Sequence, residues 1–506
     1  MPEGSTTSLR DLALSLQSPR AVADTCLRYR YEESADLLAY MVSKGELDYA
    51  GVLGLAREVL AGEVPAEDAS TRLDVHALDA LVRLMAGRQI LDGDFSEPAD
   101  LSRVVRLLGG DDERDPLSAR IAGQVNLAEG RRDEVRAILA DSEQLDDDTE
   151  WVLSTELAHP ANGAPSEESS RWLELFNRRF TEFGHLPIVI RDGPGAPFDR
   201  VTVEVPDDHY VDGPLVTVVM SVFKPDQSFR TAVESLIAQT WRNIEILIFD
   251  DCSPPEYDAL LSEVASLDPR IRFERMADNG GTYVIRNAAL ARARGVFVAF
   301  QDADDWAHPE RIHCQVQPLL DDAELVATHC RCVRVFNDLH TLSVGMNSFR
   351  RGEASTVFRR DVVIDALGGF DETRKSADNE FYERVEAVFG RDAVLNLPDV
   401  LMMTQLTPGS LSRDELKFGW HHPSRAAYVQ ARGHWHREIM AGRDDPRMLL
   451  AGPRKIPAPH YHLTGQAAPV ASADVLWIAD WRDRIQEQTH ESALVESTAG
   501  EWSTLF

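Results

Sequence analysis

Phe297-Val-Ala-Phe-Gln-Asp-Ala-Asp-Asp-Trp306 decides how the rest of this 506-residue chain reads. Its apolar start predicts a buried strand that delivers three carboxylates, Asp302, Asp304 and Asp305, before a helix opened by His308-Pro309. Burying an unpaired carboxylate is costly, so acids packed this closely at a strand end require a cation, hydrogen-bond donors or water. A divalent metal would supply the cation. The pattern is expected at the mouth of an open α/β sheet, where ligands bind beyond the carboxyl ends of the strands. Acids are also common in turns and near helix N-termini, where the dipole favours them, so the stretch alone leaves both explanations open.

The neighbouring segments narrow the choice. From Leu215 onward, short β-branched runs alternate with helical stretches, the signature of a mainly parallel sheet. Val216 to Val222 predicts a fully buried strand, followed by a crossover helix from Phe229 to Gln239. Ile244 to Phe249 predicts the next strand, ending in Asp250-Asp251-Cys-Ser253. Arg272-Phe-Glu-Arg275 predicts a third, followed by Asn279-Gly-Gly-Thr-Tyr283 and a helix through Arg286-Asn287. Three successive strand ends thus carry polar clusters, and in a parallel sheet they share one edge. Singly, an aspartate pair can cap a helix and a glycine pair can permit a turn. Jointly, they exceed what a structural sheet requires.

Residues 1–180 predict an all-α N-terminal domain, with apolar residues at helical spacing as in Leu78-x-x-Leu81-Val-x-Leu84. Ile121 to Leu139 predicts a helix, a tight turn at Gly130 and a second helix, the pattern of a tetratricopeptide-like hairpin, but without a clear 34-residue repeat. Residues 181–213 form a linker with short strands around Pro187-Ile-Val-Ile-Arg and Val201-Thr-Val-Glu-Val. Residues 214–440 hold the sheet domain, and 441–506 a C-terminal extension of unreadable role, including Val475 to Trp481.

Composition sets further bounds. With 43% hydrophobic and 27% charged residues the chain is globular, and its length predicts two or three domains. Its 84 acids against 52 bases give a net charge of −32, a field that repels nucleic acid and anionic lipid. Five scattered cysteines argue against a disulfide framework, and Cys330-Arg-Cys332 has the wrong spacing for a zinc knuckle. With neither a leader pattern nor a long apolar window, the chain is expected to have no transmembrane segment and to be cytoplasmic, or peripheral at the inner face of the membrane.

The ordered pieces resemble the inverting, metal-dependent family 2 glycosyltransferases of GT-A fold. Those pieces are Val218-Val-Met-Ser-Val-Phe-Lys-Pro225, Ser235-Leu-x-x-Gln239-Thr, Glu245 to Ser253, Asn279-x-Gly-Thr-Tyr-x-x-Arg-Asn287, Gln301 to Trp306 and Gly368-Gly-Phe-Asp371. They span residues 215 to 410, about two fifths of the chain. The Gly-Thr-Tyr and Gln-Asp-Ala-Asp-Asp-Trp variants look most like bacterial enzymes of capsular and surface polysaccharide synthesis. The implied fold is a GT-A-type, mainly parallel sheet with flanking helices and a Rossmann-like nucleotide-binding half.

The resemblance implies a nucleotide-sugar donor, with a UDP-sugar as the leading expectation, and a glycan or glycolipid acceptor. Asp251, with Asp250 beside it, would accept hydrogen bonds from base and ribose. Phe223, Pro225, Asn279, Gly281 and Ala303 would border the donor, and Arg286 would reach toward its oxygens. Asp302 and Asp304 would form the Asp-x-Asp site for Mg²⁺ or Mn²⁺, with Asp304 the direct ligand. Asp378 falls at the position of the catalytic base, with Glu380 as the fallback. Ala377 stands where the family commonly has glutamate. Thr404 to Arg413 looks like a mobile segment over the donor phosphates. His421, His422, His434 and His436 lack a carboxylate pattern and read as structural. The helical domain is expected to engage a protein partner.

Two other functions compete. A sugar nucleotidyltransferase would show a glycine-rich phosphate loop after its first strand, and Ser221-Val-Phe-Lys-Pro-Asp226 lacks one. A catalytically silent scaffold would have no reason to retain Asp251, Asp302, Asp304 and Asp378 together.

Overall fold

The computed structural model describes residues 8–89, 93–109, 116–141, 145–407, 416–449 and 454–466. They fall into two compact units. The first takes the described residues of Met1–Arg178 together with Arg334–Phe349 and the described part of Leu406–His421.

This first unit is mainly helical, with a two-stranded ribbon, Leu416–Lys417 with Trp420–His421. The helix Val75–Gln89 packs against Pro19–Tyr29, Ser34–Val42 and Ser96–Leu108, burying Leu38, Leu78, Leu81, Leu84 and Leu101 completely. Helices Pro116–Ala128 and Arg132–Ala140 are joined at Gly130, whose φ of 67° a side chain would resist. The excursion Arg334–Phe349 is held by two buried polar residues of the helices. Gln124 donates to the Met346 carbonyl and accepts from the Gly345 N–H, each at 2.9 Å. Glu156 accepts from the Thr341 N–H at 2.5 Å and hydroxyl at 2.9 Å. Nothing in the hydrophobic periodicity marks this excursion, because polar anchors carry it.

The second unit is built on a nine-stranded sheet. Its strands are β1 (Val216–Val222), β2 (Ile244–Asp250), β3 (Ile271–Arg275), β4 (Phe297–Asp302), β5 (Trp306–Ala307), β6 (Ala327–Val335), β7 (Phe349–Arg351), β8 (Val357–Arg359) and β9 (Val394–Gln405). They run in the order β3-β2-β1-β4-β8-β6-β9-β5, with β7 paired to β6. Pairs β3-β2, β2-β1 and β1-β4 are parallel. Pairs β4-β8, β8-β6 and β9-β5 are antiparallel. The α/β class and the helical N-terminal region are as the sequence predicts; the antiparallel half goes beyond the expectation of a mainly parallel sheet.

Helices flank this sheet: α1 (Gln227–Ile237), α2 (Asp258–Ala265), α3 (Thr282–Leu290), α4 (Arg311–Asp321), α5 (Arg360–Leu367), α6 (Ala377–Phe389) and α7 (Pro423–Met440). All seven residues of β2 are buried, as expected of a central parallel strand. Register places Val222 beside Asp250 and Ser221 beside Asp302, so the carboxyl ends of β1, β2 and β4 form one edge. The hairpin Ile188–Ile190 with Val201–Val203 precedes the sheet.

Candidate active site

The edge begins where β1 ends. Phe223 is 46% exposed there, Lys224 has a left-handed φ of 50°, and Pro225 is buried. The Lys224 N–H donates to Ser253 Oγ at 2.8 Å, tying the end of β1 to the end of β2. Asp226 then caps α1 by accepting from the Ser228 N–H at 2.9 Å.

The two aspartates after β2 do different work. Asp250 is fully buried, accepts from the Ser253 N–H and takes Arg275 Nε at 2.6 Å. Its carboxylate is committed within the protein. Asp251 instead accepts from the Gly280 N–H at 2.8 Å and the Gly281 N–H at 2.9 Å, one on each oxygen. Asn279 Nδ2 donates to the Asp251 carbonyl at 3.1 Å. The strand end and the glycine turn are thereby one assembly. Gly281 has φ of 91°, which favours glycine, and a Cβ there would stand 3.1 Å from the Arg374 guanidinium.

Helix α3 leaves that turn and presents Arg286. Its guanidinium lies 4.6 Å from the centre of the Phe300 ring, with the Tyr283 and Phe370 rings at 5.5 and 5.6 Å. Arg286 Nη2 donates to Asp302 Oδ1 at 3.3 Å. Asn287, next along the helix, accepts from the Phe370 N–H at 2.8 Å and donates to the Phe370 carbonyl at 3.1 Å, fixing the Gly-Gly-Phe-Asp segment.

The opening acids divide by environment. The Asp302 side chain is 44% exposed, and Ala303 and Asp304 are partly buried beside it. Burial, the Asp302 charge and the Asp226 charge push the Asp304 carboxyl up to about 7. Asp305 is buried, and accepts from the Gln405 N–H at 3.2 Å and the Thr404 hydroxyl at 3.3 Å, which binds the start of β5 to the end of β9. Burial, with Asp304 and Asp302 adding to it, pushes its carboxyl well above the usual range. Gln301 is locked beneath them: its amide donates to Ser235 Oγ and the Asp305 carbonyl, and its oxygen accepts from buried Arg311.

Asp378 lies in the first turn of α6, two residues after Ser376, whose φ of 67° is left-handed. Burial opposes its ionisation, but the Arg286 charge, the Asn379 N–H and the Tyr283 hydroxyl outweigh it and hold the carboxyl below its usual range. Glu380 is fully buried, and its carboxylate takes Arg384 Nε at 2.8 Å and His436 Nε2 at 3.0 Å. Arg384 in turn donates to the Leu367 and Gly369 carbonyls at 2.6 and 2.8 Å. Glu380 is therefore a framework residue, its carboxylate held in internal ion pairs.

The structure thus links Asp251, Asn279 and Gly281, and bonds Arg286 to Asp302, while the Arg286 charge also acts on Asp378. It holds Asp250 and Glu380 apart in internal ion pairs. The sequence reading missed Asp226, Tyr283 and Arg374. Asp226 was signalled by its place as a helix cap; the other two become visible only through the fold. Arg413 and Val475 to Trp481 lie outside the described residues. Among the described residues, no three His, Cys, Asp or Glu side chains form a ready-made metal cage, and no helix is long and apolar enough to cross a membrane.

Residues 217–376 match the family model described as Glycosyl transferase family 2. The chain is 33% identical over 128 residues to the putative glycosyltransferase EpsH of Bacillus subtilis, covering 25% of this chain and 36% of that protein. It is 30% identical over 133 residues to the succinoglycan biosynthesis protein ExoO of Rhizobium meliloti, covering 25% and 38%. The match thus spans little more than a third of either relative. S. aureus TarS 1-349 in complex with UDP-GlcNAc shares 17% identity over 45% of this chain and 71% of that chain, at a TM-score of 0.35, a likeness too slight to build on. With the aspartates and glycine turn in the family's order on one sheet edge, the stretch 217–376 is similar to glycosyl transferase family 2.

Proposed function

We propose that this protein transfers a sugar from a nucleotide-sugar donor to a hydroxyl of a glycan acceptor, with inversion, in the synthesis of a surface polysaccharide. The observation that supports it most is the Arg286 arrangement: one helix next to the glycine turn serves an acid of the Asp-x-Asp pair and the aspartate at the base position. The names of the two relatives, a putative glycosyltransferase and a succinoglycan biosynthesis protein, point the same way.

Asp251 keeps a second lone pair on each oxygen after binding the glycine turn, so it can still accept from ribose or base donors. Phe223 offers an exposed ring at the same edge. Asp302 and Asp304 suit a hard divalent cation, because two crowded carboxylates with a half-exposed oxygen face need positive charge. Such a cation commonly takes one or two protein carboxylates and completes its shell with substrate phosphates, a demand that Asp302 and Asp304 can meet. Bound there, Mg²⁺ or Mn²⁺ would offset the charge growing on the departing nucleoside diphosphate. Asp378, held ionised, takes the proton of the acceptor hydroxyl as its oxygen attacks the anomeric carbon and the diphosphate leaves.

A panel of nucleotide sugars tested for thermal stabilisation with Mn²⁺ checks the donor half of this proposal, since a ligand that binds only the folded state raises the melting temperature. One donor is expected to stabilise the wild type and to lose its effect in Asp304→Asn. Equal stabilisation of both proteins would remove Asp304 from the donor site.

A further inference from the structure

Between Asp371 and Asp378 the chain forms a short loop that carries the proposed base. Its first residue is fastened twice: Arg454 Nη2 donates to both Asp371 oxygens at 2.6 and 2.7 Å, and the Tyr428 hydroxyl donates to Oδ2 at 2.9 Å. Its last residues enter α6 through the left-handed Ser376. Midway, the Arg374 N–H donates to the His462 carbonyl at 3.1 Å, and the Arg374 side chain turns to the donor edge. There Nη1 donates to Asn279 Oδ1 at 2.6 Å and Nη2 to the Asn279 carbonyl at 2.9 Å. The same guanidinium covers Gly281, where any Cβ would meet it at 3.1 Å. Asn279 passes the connection on through its amide to the Asp251 carbonyl.

We propose that Arg374 is a positioning residue, a clasp that holds the loop bearing Asp378 in register with the glycine turn of the donor side. The planar fork is what permits this: one guanidinium satisfies both a side-chain and a backbone oxygen of the same asparagine, which a lysine ammonium cannot do with fixed geometry. The turn it grips is the one that Asp251 organises, so donor placement and base placement share a part. The contact is solvent-exposed, so it contributes little to global stability, and its value lies in alignment. Small displacements of reacting groups are expensive in rate, on the order of 100-fold for about 1 Å.

This role rests on the glycosyl-transfer proposal, and a measurement without substrate separates the two. Hydrogen exchange of the unliganded protein is compared for wild type, Arg374→Ala, Asn279→Ala and the double variant. The clasp predicts faster exchange in both 278–284 and 372–379 in each single variant, unchanged exchange in β1, and a less than additive increase in the double, because both single variants lose the same Nη1–Oδ1 bond. In turnover, Arg374→Ala is expected to lower kcat about 10- to 100-fold with donor KM within about twofold, and Arg374→Lys to recover only part. Exchange confined to one segment, or additive effects in the double variant, would overturn the clasp. So would a loss that falls wholly on donor KM, which would make Arg374 a donor ligand. Coupled exchange in a wild type that turns over no nucleotide sugar would keep the clasp and sink the glycosyl-transfer proposal.

Discussion

Arg286 Nη2 donates to Asp302 Oδ1 at 3.3 Å, and the same guanidinium is the main charge that keeps Asp378 ionised. One cation, set on a platform of Phe300, Tyr283 and Phe370, therefore answers to both halves of the proposed reaction. Arg286→Lys keeps the charge but loses the fork and the ring stacking. Turnover is expected to fall about 10-fold or more with the melting temperature nearly unchanged, measured by donor consumption beside a thermal melt.

Asp304 makes stability depend on pH. Its folded pKa of about 7 lies above the ordinary value of 3.8, so the folded state binds more protons than the unfolded state between those limits. Stability from this group is thus lost as pH rises from about 4 to 7. Thermal melts of the metal-free protein should show that decline in wild type and a weaker one in Asp304→Asn. Mn²⁺ at pH 7.5 should restore the wild type and leave the variant unmoved.

Asp378 has the opposite sign. Its carboxyl is held below the usual range, so it stays ionised through the mildly acidic region and the stability it contributes is lost only as pH falls through that lowered pKa. The acid limb of kcat/KM near neutrality should therefore come from proton competition at Asp304, and should move to lower pH as Mn²⁺ is raised. Asp378→Asn should lower kcat about 100- to 10,000-fold while donor affinity is kept. A limb that ignores metal concentration would count against this assignment.

Glu380 and Asp250 are expected to matter for folding. Removing the Glu380 carboxylate leaves Arg384 buried without its counter-charge, so Glu380→Gln should cost about 3–5 kcal/mol in denaturant unfolding. Asp250→Asn weakens its bonds to Arg275 and Ser253 and should cost about 1–3 kcal/mol. Both variants should keep near wild-type turnover per folded molecule.

Much of this was legible in the sequence, and the limits have physical causes. The strands of the parallel half announce themselves because burial on both faces leaves continuous apolar runs, as in Val216 to Val222. The polar strand ends then place Asp251, Asn279 and Asp302 on one edge. Adjacent Asp250 and Asp251 look alike in the sequence; only the pairing of Asp250 with Arg275 across β3 shows which is committed internally. Glu380 is absorbed by Arg384 one turn later and by His436, 56 residues away in sequence. Arg374 reaches Asn279 across 95 residues, which no local pattern can signal. The excursion Arg334–Phe349 is likewise carried by Gln124 and Glu156, single polar anchors without periodicity.

The most direct test is release of nucleoside diphosphate from the stabilising donor, with acceptor present, with and without Mn²⁺, for wild type, Asp304→Asn and Asp378→Asn. Glycosyl transfer at this site requires metal-dependent turnover in wild type, loss of the metal response in Asp304→Asn, and slow turnover with intact donor binding in Asp378→Asn. No metal-dependent turnover of any nucleotide sugar by wild type, or Asp304→Asn equal to wild type, would contradict it.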